Sequence, residues 1–458
     1  MARLKPLVME FIGSNPEYPG KFRVGMLTVL DDILQANRRG ACKGVYAACT
    51  VNRFAIQAAL GQARRDRWPV LIEATAQQVN PEGGYSGLTP AAFAVMVRRE
   101  AALIGLDQGA VILGGDHAGP HPWSAGTAIR AMAKARALVQ ALVGGGFAKL
   151  HLDATAPCRD DPRETHGGLP MGLIVARTVD LMDAAEKAAR RARCRPPIYV
   201  LGSEVPLPGG GAAGGRERVS PPEEIEAFVA AVRAAMQKRG LAHVRSRVAA
   251  IVARTGADFS SRSVQPFDAG RAAPLVTLID TLPDLVYEAH STDYQTPRAL
   301  GEMVASRMAI LKVGPWLTYA FREAAFALAR IEGQTLAARR GVQRSWLVEA
   351  MEAAMLADPQ HWRRHYRGTA EEKQWLRIHG LSDRIRYYWH YPGPQAAFRR
   401  LVANLRRYPP PAPLLAEHLP AVCAHVADGR LAPEPEALIR HQIGAVIAHY
   451  AEACGARG

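Results

Sequence analysis

The chain has 458 residues, of which 48% are hydrophobic, and a formal charge of +15 at neutral pH. A chain of this length can bury one large core with a smaller appendage, or up to three ordinary domains. It contains no run of about eighteen uncharged apolar residues, and its N-terminus has no apolar signal core followed by a small-residue cleavage site, which excludes a membrane protein and predicts a cytoplasmic one.

Eight short apolar runs bounded by turn residues recur along the first 315 residues, and each is followed by a segment with helical periodicity. The predicted strands are Gly44–Cys49, Val70–Ala74, Val111–Gly114, Lys149–Asp153, Ile198–Ser203, Val248–Arg254, Leu285–His290 and Ala309–Val313. The predicted helices are Arg53–Arg65, Pro90–Ile104, Ala125–Val143, Gly172–Arg193, Pro221–Arg239, Ala269–Thr281, Pro297–Ser306 and Leu317–Glu332. Thr89 and Ser220, each directly before a proline, are predicted helix starts.

Apolar strands that alternate with helices predict a parallel sheet covered on both faces. Eight repeats over about 300 residues favour a closed TIM (β/α)₈ barrel over an open doubly wound sheet, which is the alternative. After residue 335 the strand pattern stops and helical segments dominate, interrupted by the proline-rich stretch Tyr408–Leu414. We therefore divide the chain into a barrel of residues 1–335 and a C-terminal helical region of residues 336–458 that packs on it.

Polar residues that are unusual in apolar strands stand at the predicted carboxyl ends of the strands. They are Glu73, Asp116, His117, His151, Asp153, Glu204, His290 and Lys312. The loops that follow barrel strands converge on one face, and unpaired carboxylates and imidazoles are costly to bury. The set therefore predicts a divalent metal, unless each residue is separately a satisfied polar group of the core.

His117, Glu204 and His290 are the predicted metal ligands. Two imidazoles and one carboxylate leave coordination positions open for a substrate and suit zinc, manganese or cobalt, and nickel is a further candidate. The glycine-rich stretch Gly209–Gly214 satisfies GxGxxG, but it does not open a helix and no acidic residue ends a second strand about 20 residues later. We predict a mobile loop over the barrel mouth there, and no nucleotide site.

Neither the charge nor the cysteines indicate a special class of protein. The basic residues are scattered through amphipathic helices without a recognition motif, so we expect a solvated surface and no nucleic-acid partner. The charge would still attract an anionic metabolite. The six cysteines form no CxxC pair, so we expect free thiols in a reducing compartment.

Seven segments, in order along the chain, resemble the Z-subunit family of class II D-tagatose-1,6-bisphosphate aldolases. They are LIEATAQQVNPEGGYSGLTP (71–90), ILGGDHAGP (112–120), KLHLDAT (149–155), LGSEVPLPGG (201–210), YEAHSTDYQT (287–296), ILKVGPWLTYAFREA (310–324) and LSDRIRYYW (381–389). The resemblance implies either a non-catalytic partner of an aldolase catalytic subunit, sometimes labelled a tagatose-6-phosphate kinase, or a C4 epimerase of ketohexoses and their 6-phosphates.

The family is also distantly similar to the catalytic class II aldolases. That similarity implies that Asp116 moves protons, that His117 binds zinc and that His290 corresponds to a further zinc histidine. The segment Leu152–Thr155, which contains Asp153, resembles the Ile-Asp-Ala-Ser strand of those enzymes. The sequence departs from them at Glu204, where a histidine is expected, so the identity of the metal stays open.

Inversion at C4 of a 2-ketose needs a special route, because C4 is not adjacent to the carbonyl group. We find no nicotinamide site for transient oxidation, so we expect retro-aldol cleavage of the C3–C4 bond, rotation of the aldehyde and re-addition, with a metal stabilising the enediolate. Asp116 or Asp153 is the expected base, and Glu73 is a further catalytic candidate. The prediction is a metal-dependent 4-epimerase of fructose and tagatose or their 6-phosphates, and the alternative is a non-catalytic Z subunit that stabilises and activates an aldolase.

The candidate substrate-binding residues are Gln78, Asn80, Tyr85, His151, Ser291, Asp293 and Lys312. Lys312, with the backbone near Gly314, is the candidate phosphate site, since barrel phosphate sites favour the last strands; an ion pair at the barrel floor is the alternative. For Asn80 the alternative is a side chain that stabilises a turn. The cluster 383–389 either docks on the barrel mouth or a second subunit, or contacts substrate. The sequence leaves open whether the chain forms a homo-oligomer.

Overall fold

Eight parallel strands form a closed barrel in this computed structural model, which describes residues 26–164, 168–203 and 217–456. The strands are β1 Val45–Cys49, β2 Val70–Thr75, β3 Val111–Ala118, β4 Lys149–Asp153, β5 Ile198–Gly202, β6 Val248–Ala253, β7 Val286–Ala289 and β8 Met308–Val313. They follow one another around the barrel in chain order, and β8 pairs with β1. The predicted TIM barrel is therefore confirmed, and the open sheet is excluded.

Helices follow the strands and continue beyond the barrel. They are α1 Met26–Arg38, α2 Arg53–Asp66, α3 Pro90–Leu103, α4 Ala128–Gly144, α5 Met171–Ala192, α6 Pro222–Lys238, α7 Ala269–Asp280, α8 Pro297–Ala305, α9 Pro315–Leu336, α10 Leu347–Ala357, α11 Ala370–His379, α12 Pro392–Arg407, α13 Ala412–His418, α14 Pro420–Ala427 and α15 Pro435–Ala453. Short 3₁₀ helices include His121–Trp123 and Arg384–Tyr388, and a small hairpin pairs Asp258–Phe259 with Val264–Gln265. No helix of the described residues is long and apolar enough to cross a bilayer.

The two predicted helix starts differ in outcome. The side chain of Thr89 accepts a hydrogen bond from the backbone N–H of Ala92 and caps α3, as expected. The prediction for Ser220 is wrong, because α6 begins at Pro222 without a side-chain cap. The Ser220 hydroxyl instead accepts the N–H of Arg254, so it joins the end of β6 to the loop before α6.

The inside of the barrel is layered, because alternate residues of a strand point to the same face. The layer nearest the amino ends of the strands is apolar, and Leu30 and Leu34 of α1 belong to the same core, so α1 covers that end. Its members from the strands include Val45, Leu71, Ile112, Ile198, Val286 and Ile310.

The next layer of the barrel interior is charged. Glu73, Glu288 and Lys312 each lie two residues beyond an apolar residue of the floor, and Lys149 lies beside them; all four are buried. Lys149 Nζ lies 2.7 Å from Glu73 Oε1 and also pairs with Glu288, and Lys312 pairs with Glu73. Gly114 leaves room for this layer, since a Cβ there would lie 2.3 Å from Glu73 Oε1. We call these four side chains the charged layer.

The C-terminal helices pack on the barrel. Helix α15 lies against α2, α8 and α9, and buried residues of α10, α12 and α15 belong to the same apolar core as the barrel helices. The Tyr450 hydroxyl of α15 donates to the carbonyl of Thr292, at 2.8 Å, in the loop after β7. The C-terminal helices thus reach the loops of the barrel mouth. The division at residue 335 stays a prediction.

Replacing Lys149 with Met tests the charged layer. The substitution leaves the buried carboxylates of Glu73 and Glu288 short of a cation, and removing one partner of a buried pair costs about 3–5 kcal/mol. We expect that loss in the free energy of unfolding, measured by urea denaturation at a fixed metal concentration. Lys187→Met is the control and should cost less than about 0.5 kcal/mol, because the Lys187 side chain is exposed and its i,i+4 partner Asp183 keeps its ion pair with Arg239. If Lys149→Met lowers the free energy of unfolding no more than the control does, the charged layer contributes little to stability.

Candidate active site

Three histidines from three strands lie together at the carboxyl end of the barrel. His117 lies near the end of β3, His151 on β4 and His290 directly after β7. Their ring centroids are 5.0 Å (117–151), 5.1 Å (117–290) and 5.0 Å (151–290) apart. Three imidazoles on one tetrahedral ion, with metal–nitrogen distances of about 2.0–2.1 Å, would place their ring centres about 5 Å apart. The spacing of the rings therefore fits a three-histidine metal centre.

Each of the three rings binds a carboxylate through one nitrogen. The pairs are His117 Nδ1 with Asp153 Oδ2 at 2.9 Å, His151 Nδ1 with Asp116 Oδ1 at 2.9 Å, and His290 Nε2 with Glu288 Oε1 at 3.0 Å. Carboxylates commonly orient metal-binding histidines in this way, because the bond fixes the tautomer and the direction of the ring. The arrangement leaves the second nitrogens of His151 and His290 without a carboxylate, whereas His117 Nε2 lies 3.7 Å from Asp116 Oδ2.

One nitrogen of this centre has no partner. His151 is completely buried, and its Nε2 has no hydrogen-bond partner among the described residues. A buried polar atom without a partner is costly, and native structures commonly satisfy it with a bound water or ion. Potential ligand atoms of Asp116, His151, Glu288 and His290 lie within 4.8 Å of one another, whereas His117 does not belong to this group. A metal ion would satisfy the free nitrogen.

The charges around the histidines also favour a cation. The carboxylates of Asp116, Asp153, Glu73 and Glu288 outnumber the ammonium groups of Lys149 and Lys312 by two, and all six are buried. Burial opposes ionisation, but His117 holds the pKa of Asp116 well below its usual range, and Lys149 lowers that of Glu288 to about 2. Burial opposes the charged form of His117, but Asp116 and Asp153 raise its pKa to about 9, so without a metal the ring supplies one of the missing charges. A divalent cation bound to the neutral ring would balance both.

The backbone of β3 is shaped to aim the His117 ring. His117 has φ of 45°, in the left-handed region, and the pairing of β3 with β4 shifts register between Gly115 and Ala118. Such a bulge redirects a side chain, and a left-handed non-glycine residue costs about 1–3 kcal/mol. The next turn requires Gly119, because a Cβ there would lie 1.6 Å from the carbonyl oxygen of Asp153.

Two cavities open over the histidines. The first has a volume of about 490 Å³ and the second about 1080 Å³, and Thr75, Gln77 and His117 line both. Asp116 and His290 line the first cavity, whereas Asp153 lines the second. The histidine centre therefore lies between the two cavities.

Most of the predicted substrate-binding residues line the first cavity: Gln78, Tyr85, Ser291, Asp293 and Lys312. His151 is buried below both cavities, next to the other two histidines. Asn80 lines neither of them; its amide donates to Ala76 and its Oδ1 accepts the N–H groups of Glu82 and Gly84, which organises the turn. Glu204 and the stretch Gly209–Gly214 lie outside the described residues.

Lys312 and Asp293 already have polar partners. The Lys312 ammonium group pairs with Glu73 and lies 3.0 Å from Asp116 Oδ1, and burial lowers its pKa to about 8. Asp293 Oδ1 accepts the N–H groups of Gly314 and Trp316 at 3.0 and 2.8 Å, while burial raises its pKa to about 6. Lys312 therefore forms an ion pair, which was the alternative to the predicted phosphate site.

Sequence reasoning missed several residues of this region. Glu288 stands two residues before His290, so the period of a strand would have placed both on the inner face. Cys49, at the end of β1, has its Sγ 3.3 Å from Asp116 Oδ2, and burial raises the pKa of its thiol. Its apolar neighbours in the strand gave no sign of that contact.

The cluster 383–389, called the C-terminal cluster below, docks on the barrel mouth. Arg386, Tyr387 and Trp389 line the first cavity together with residues of the barrel. The rings of Tyr387 and Tyr85 meet edge to face with centroids 4.7 Å apart, which joins the cluster to the loop after β2. A segment more than 290 residues away in sequence from that loop thus forms part of the cavity wall.

Comparisons with known proteins agree with this architecture. The family model described as D-tagatose-1,6-bisphosphate aldolase subunit GatZ/KbaZ-like matches residues 30–455. The crystal structure of a probable tagatose 6 phosphate kinase from Sinorhizobium meliloti 1021 is 38% identical, with a TM-score of 0.81 over 90% of this chain and 100% of that chain.

Two aldolases are much more distant. The YdjI aldolase from Escherichia coli K12 is 10% identical, with a TM-score of 0.39 over 81% of this chain and 94% of its own. Fructose-bisphosphate aldolase from Campylobacter jejuni is 15% identical, with a TM-score of 0.42 over 84% and 98%. The family match, by contrast, spans nearly the whole chain. The chain therefore belongs to the D-tagatose-1,6-bisphosphate aldolase subunit GatZ/KbaZ-like family.

Proposed function

We propose that this chain is a metal-dependent C4 epimerase that interconverts D-fructose and D-tagatose, or their 6-phosphates, by retro-aldol cleavage and aldol re-addition. The observation that carries the proposal is the group of three adjacent histidines, each bonded to a carboxylate, beside a cavity of about 490 Å³. A cavity of that volume is typical of small-molecule sites. Membership of a family related to tagatose-bisphosphate aldolase supports aldol chemistry.

The proposed metal ligands are His117, His151 and His290, and Glu204, predicted as a ligand with His117 and His290, stays a prediction. A divalent metal held there would act as a Lewis acid that polarises the C2 carbonyl of the sugar and stabilises the charge that develops on the C2–C3 fragment. Asp153 accepts from the His117 ring through Oδ2 and from Thr155 through Oδ1, so its main task would be to orient His117.

Asp116 is the proposed proton carrier, because it lines the first cavity. As its carboxylate takes the proton from the C4 hydroxyl, C4 becomes an aldehyde carbon and the electrons of the C3–C4 bond pass to the C2–C3 fragment. After the aldehyde has turned over, the bond forms again on its opposite face and the same proton returns to O4. Lys312, 3.0 Å from Asp116 Oδ1, would keep the carboxylate in place.

Re-addition to the opposite face requires that both fragments stay in the cavity. Tyr85 of the barrel and Tyr387 and Trp389 of the C-terminal cluster form an aromatic wall there. Such a wall supports an epimerase, which retains the aldehyde while it rotates, over an aldolase that releases it.

A non-catalytic subunit is the second candidate, since the matched family is described as an aldolase subunit. A partner that only stabilises another chain has no need for an unpartnered buried nitrogen on His151 or for an excess of buried carboxylates. These features favour the enzyme. Metal-replete protein that makes no tagatose product, yet restores activity to an aldolase catalytic subunit, would favour the subunit role.

Metal content tests the histidine centre. We expect about one divalent ion per chain in the purified protein, measured by elemental mass spectrometry. His151→Ala or His290→Ala should reduce the content at least about tenfold at the same free metal concentration, because a ligand is lost. His243→Ala, at an exposed position, should retain it. Full metal content in His151→Ala would remove this residue from the ligand set.

Turnover tests the reaction. Protein incubated with fructose 6-phosphate or fructose should form the tagatose epimer, resolved by NMR, and a chelator should abolish the product. Asp116→Asn should lower kcat by about 10²–10⁴-fold, the usual contribution of a general base. Asp428→Asn, on the exposed surface, should leave it unchanged. An Asp116→Asn variant with normal turnover would exclude this residue as the proton carrier.

Isotopes distinguish the retro-aldol route from proton abstraction at C4. The hydrogen on C4 stays bound throughout cleavage and re-addition, so the product formed in heavy water should contain no deuterium at C4. Both C3 and C4 should show normal ¹³C isotope effects, because the bond between them breaks. Solvent deuterium at C4 would indicate direct deprotonation, and a large rate effect of deuterium placed on C4 of the substrate would indicate oxidation at that carbon.

A further inference from the structure

We propose that Arg386 binds the phosphate group of the substrate, so that the substrate class is a ketohexose 6-phosphate and not the free sugar. The inference rests on the proposed function for the identity of the sugar. Arg386 lies in the 3₁₀ helix Arg384–Tyr388 and lines the first cavity together with Asp116 and His290. The guanidinium group and the histidine centre therefore share one cavity.

The guanidinium group of Arg386 has only neutral partners. Its Nη1 donates to the carbonyl oxygens of Ser382 and Asp383, and its Nη2 donates to the Tyr387 hydroxyl at 2.9 Å. It also lies 4.5 Å from the centroid of the Tyr387 ring. In the described part of the chain, no carboxylate oxygen lies within 4.0 Å of it. The cation thus lines the cavity with no counter-ion in direct contact, and Asp383 and Asp293 interact with it only at longer range.

The nearby carboxylates are bound elsewhere. Asp383 Oδ1 accepts from Arg322 Nε at 2.9 Å in a buried ion pair. Asp293 Oδ1 accepts the two backbone N–H groups of Gly314 and Trp316. A partly buried guanidinium that lacks an anion is costly, and its planar fork binds phosphate through two parallel hydrogen bonds. A phosphate group would supply the missing charge.

The usual phosphate position of a barrel is already filled. Barrel enzymes often bind phosphate after the last strands, at the amino end of a helix. Here the N–H groups of Gly314 and Trp316, at the start of α9, are bonded to the carboxylate of Asp293, and the Lys312 ammonium group is paired with Glu73. We therefore place the phosphate at Arg386, on the C-terminal side of the cavity, instead of at Lys312.

Binding measured by calorimetry on the metal-loaded full chain tests the assignment without depending on turnover. Wild-type protein should bind fructose 6-phosphate more tightly than fructose. Arg386→Met should weaken binding of the phosphorylated sugar about 10- to 100-fold, as expected for the loss of charge-assisted hydrogen bonds, and change binding of fructose less than about twofold. Arg386→Lys should lie between, because it keeps the charge but loses the fork.

Arg384→Met is the matched control. Arg384 lies in the same short helix and carries the same charge, but its Nη1 donates to the carbonyl of His361 at 3.0 Å and it does not line the cavity. In Arg384→Met, the ratio of the affinity for fructose 6-phosphate to the affinity for fructose should equal that of the wild type. Equal weakening of both sugars by Arg386→Met, or no change in either, would overturn the proposal.

Inorganic phosphate gives a second test that needs no variant. It should compete with fructose 6-phosphate for the wild-type protein and leave the binding of fructose unchanged. Competition with neither sugar, or with both equally, would contradict a phosphate subsite at Arg386. Failure of the proposed function can be told apart from failure of this assignment. If the protein is not an epimerase, no tagatose product forms, but selective binding of the phosphorylated sugar through Arg386 persists.

Discussion

The charged layer inside the barrel is the constraint on which the candidate site depends. Glu73, Lys149, Glu288 and Lys312 replace the apolar side chains that normally fill a barrel, and they stand between the apolar floor and the histidines. Through this layer Glu288 orients the His290 ring, and Lys312 holds Asp116. The histidine centre is therefore positioned mainly by strands, which are the most rigid elements of the fold.

The barrel could be predicted from the sequence because both of its signals are local. Apolar runs of strand length alternate with helical periods, and polar residues end several of these runs. Parallel strands end on one face, so Asp116, His117 and His290 were expected to converge, and they lie side by side. The sequence placed His151 among the substrate-binding candidates and not among the metal ligands. It does not reveal that one ring nitrogen is bonded to Asp116 and that the other has no partner.

Contacts between distant segments could not be predicted. Arg386 and Tyr387 reach the cavity only because α9, α12 and α15 hold the C-terminal region against the barrel, and no local pattern specifies that packing. The sequence was consistent with Asn80 either binding substrate or stabilising a turn. Its side chain forms hydrogen bonds with the backbone of the turn after β2, at Ala76, Glu82 and Gly84. Ser220 shows the converse, since a sound helix-start signal was overridden by a tertiary contact with Arg254.

The C-terminal wall of the first cavity has a consequence for the order in which the site is assembled. The residues that line this cavity run from Cys49 to Arg399, so most of the chain must emerge from the ribosome before the cavity is closed. The three histidines belong to the barrel, but Tyr387 and Trp389 of the cavity wall come from the C-terminal region. The cavity proposed to retain the aldehyde is therefore complete only after the segment 383–389 has packed against the barrel.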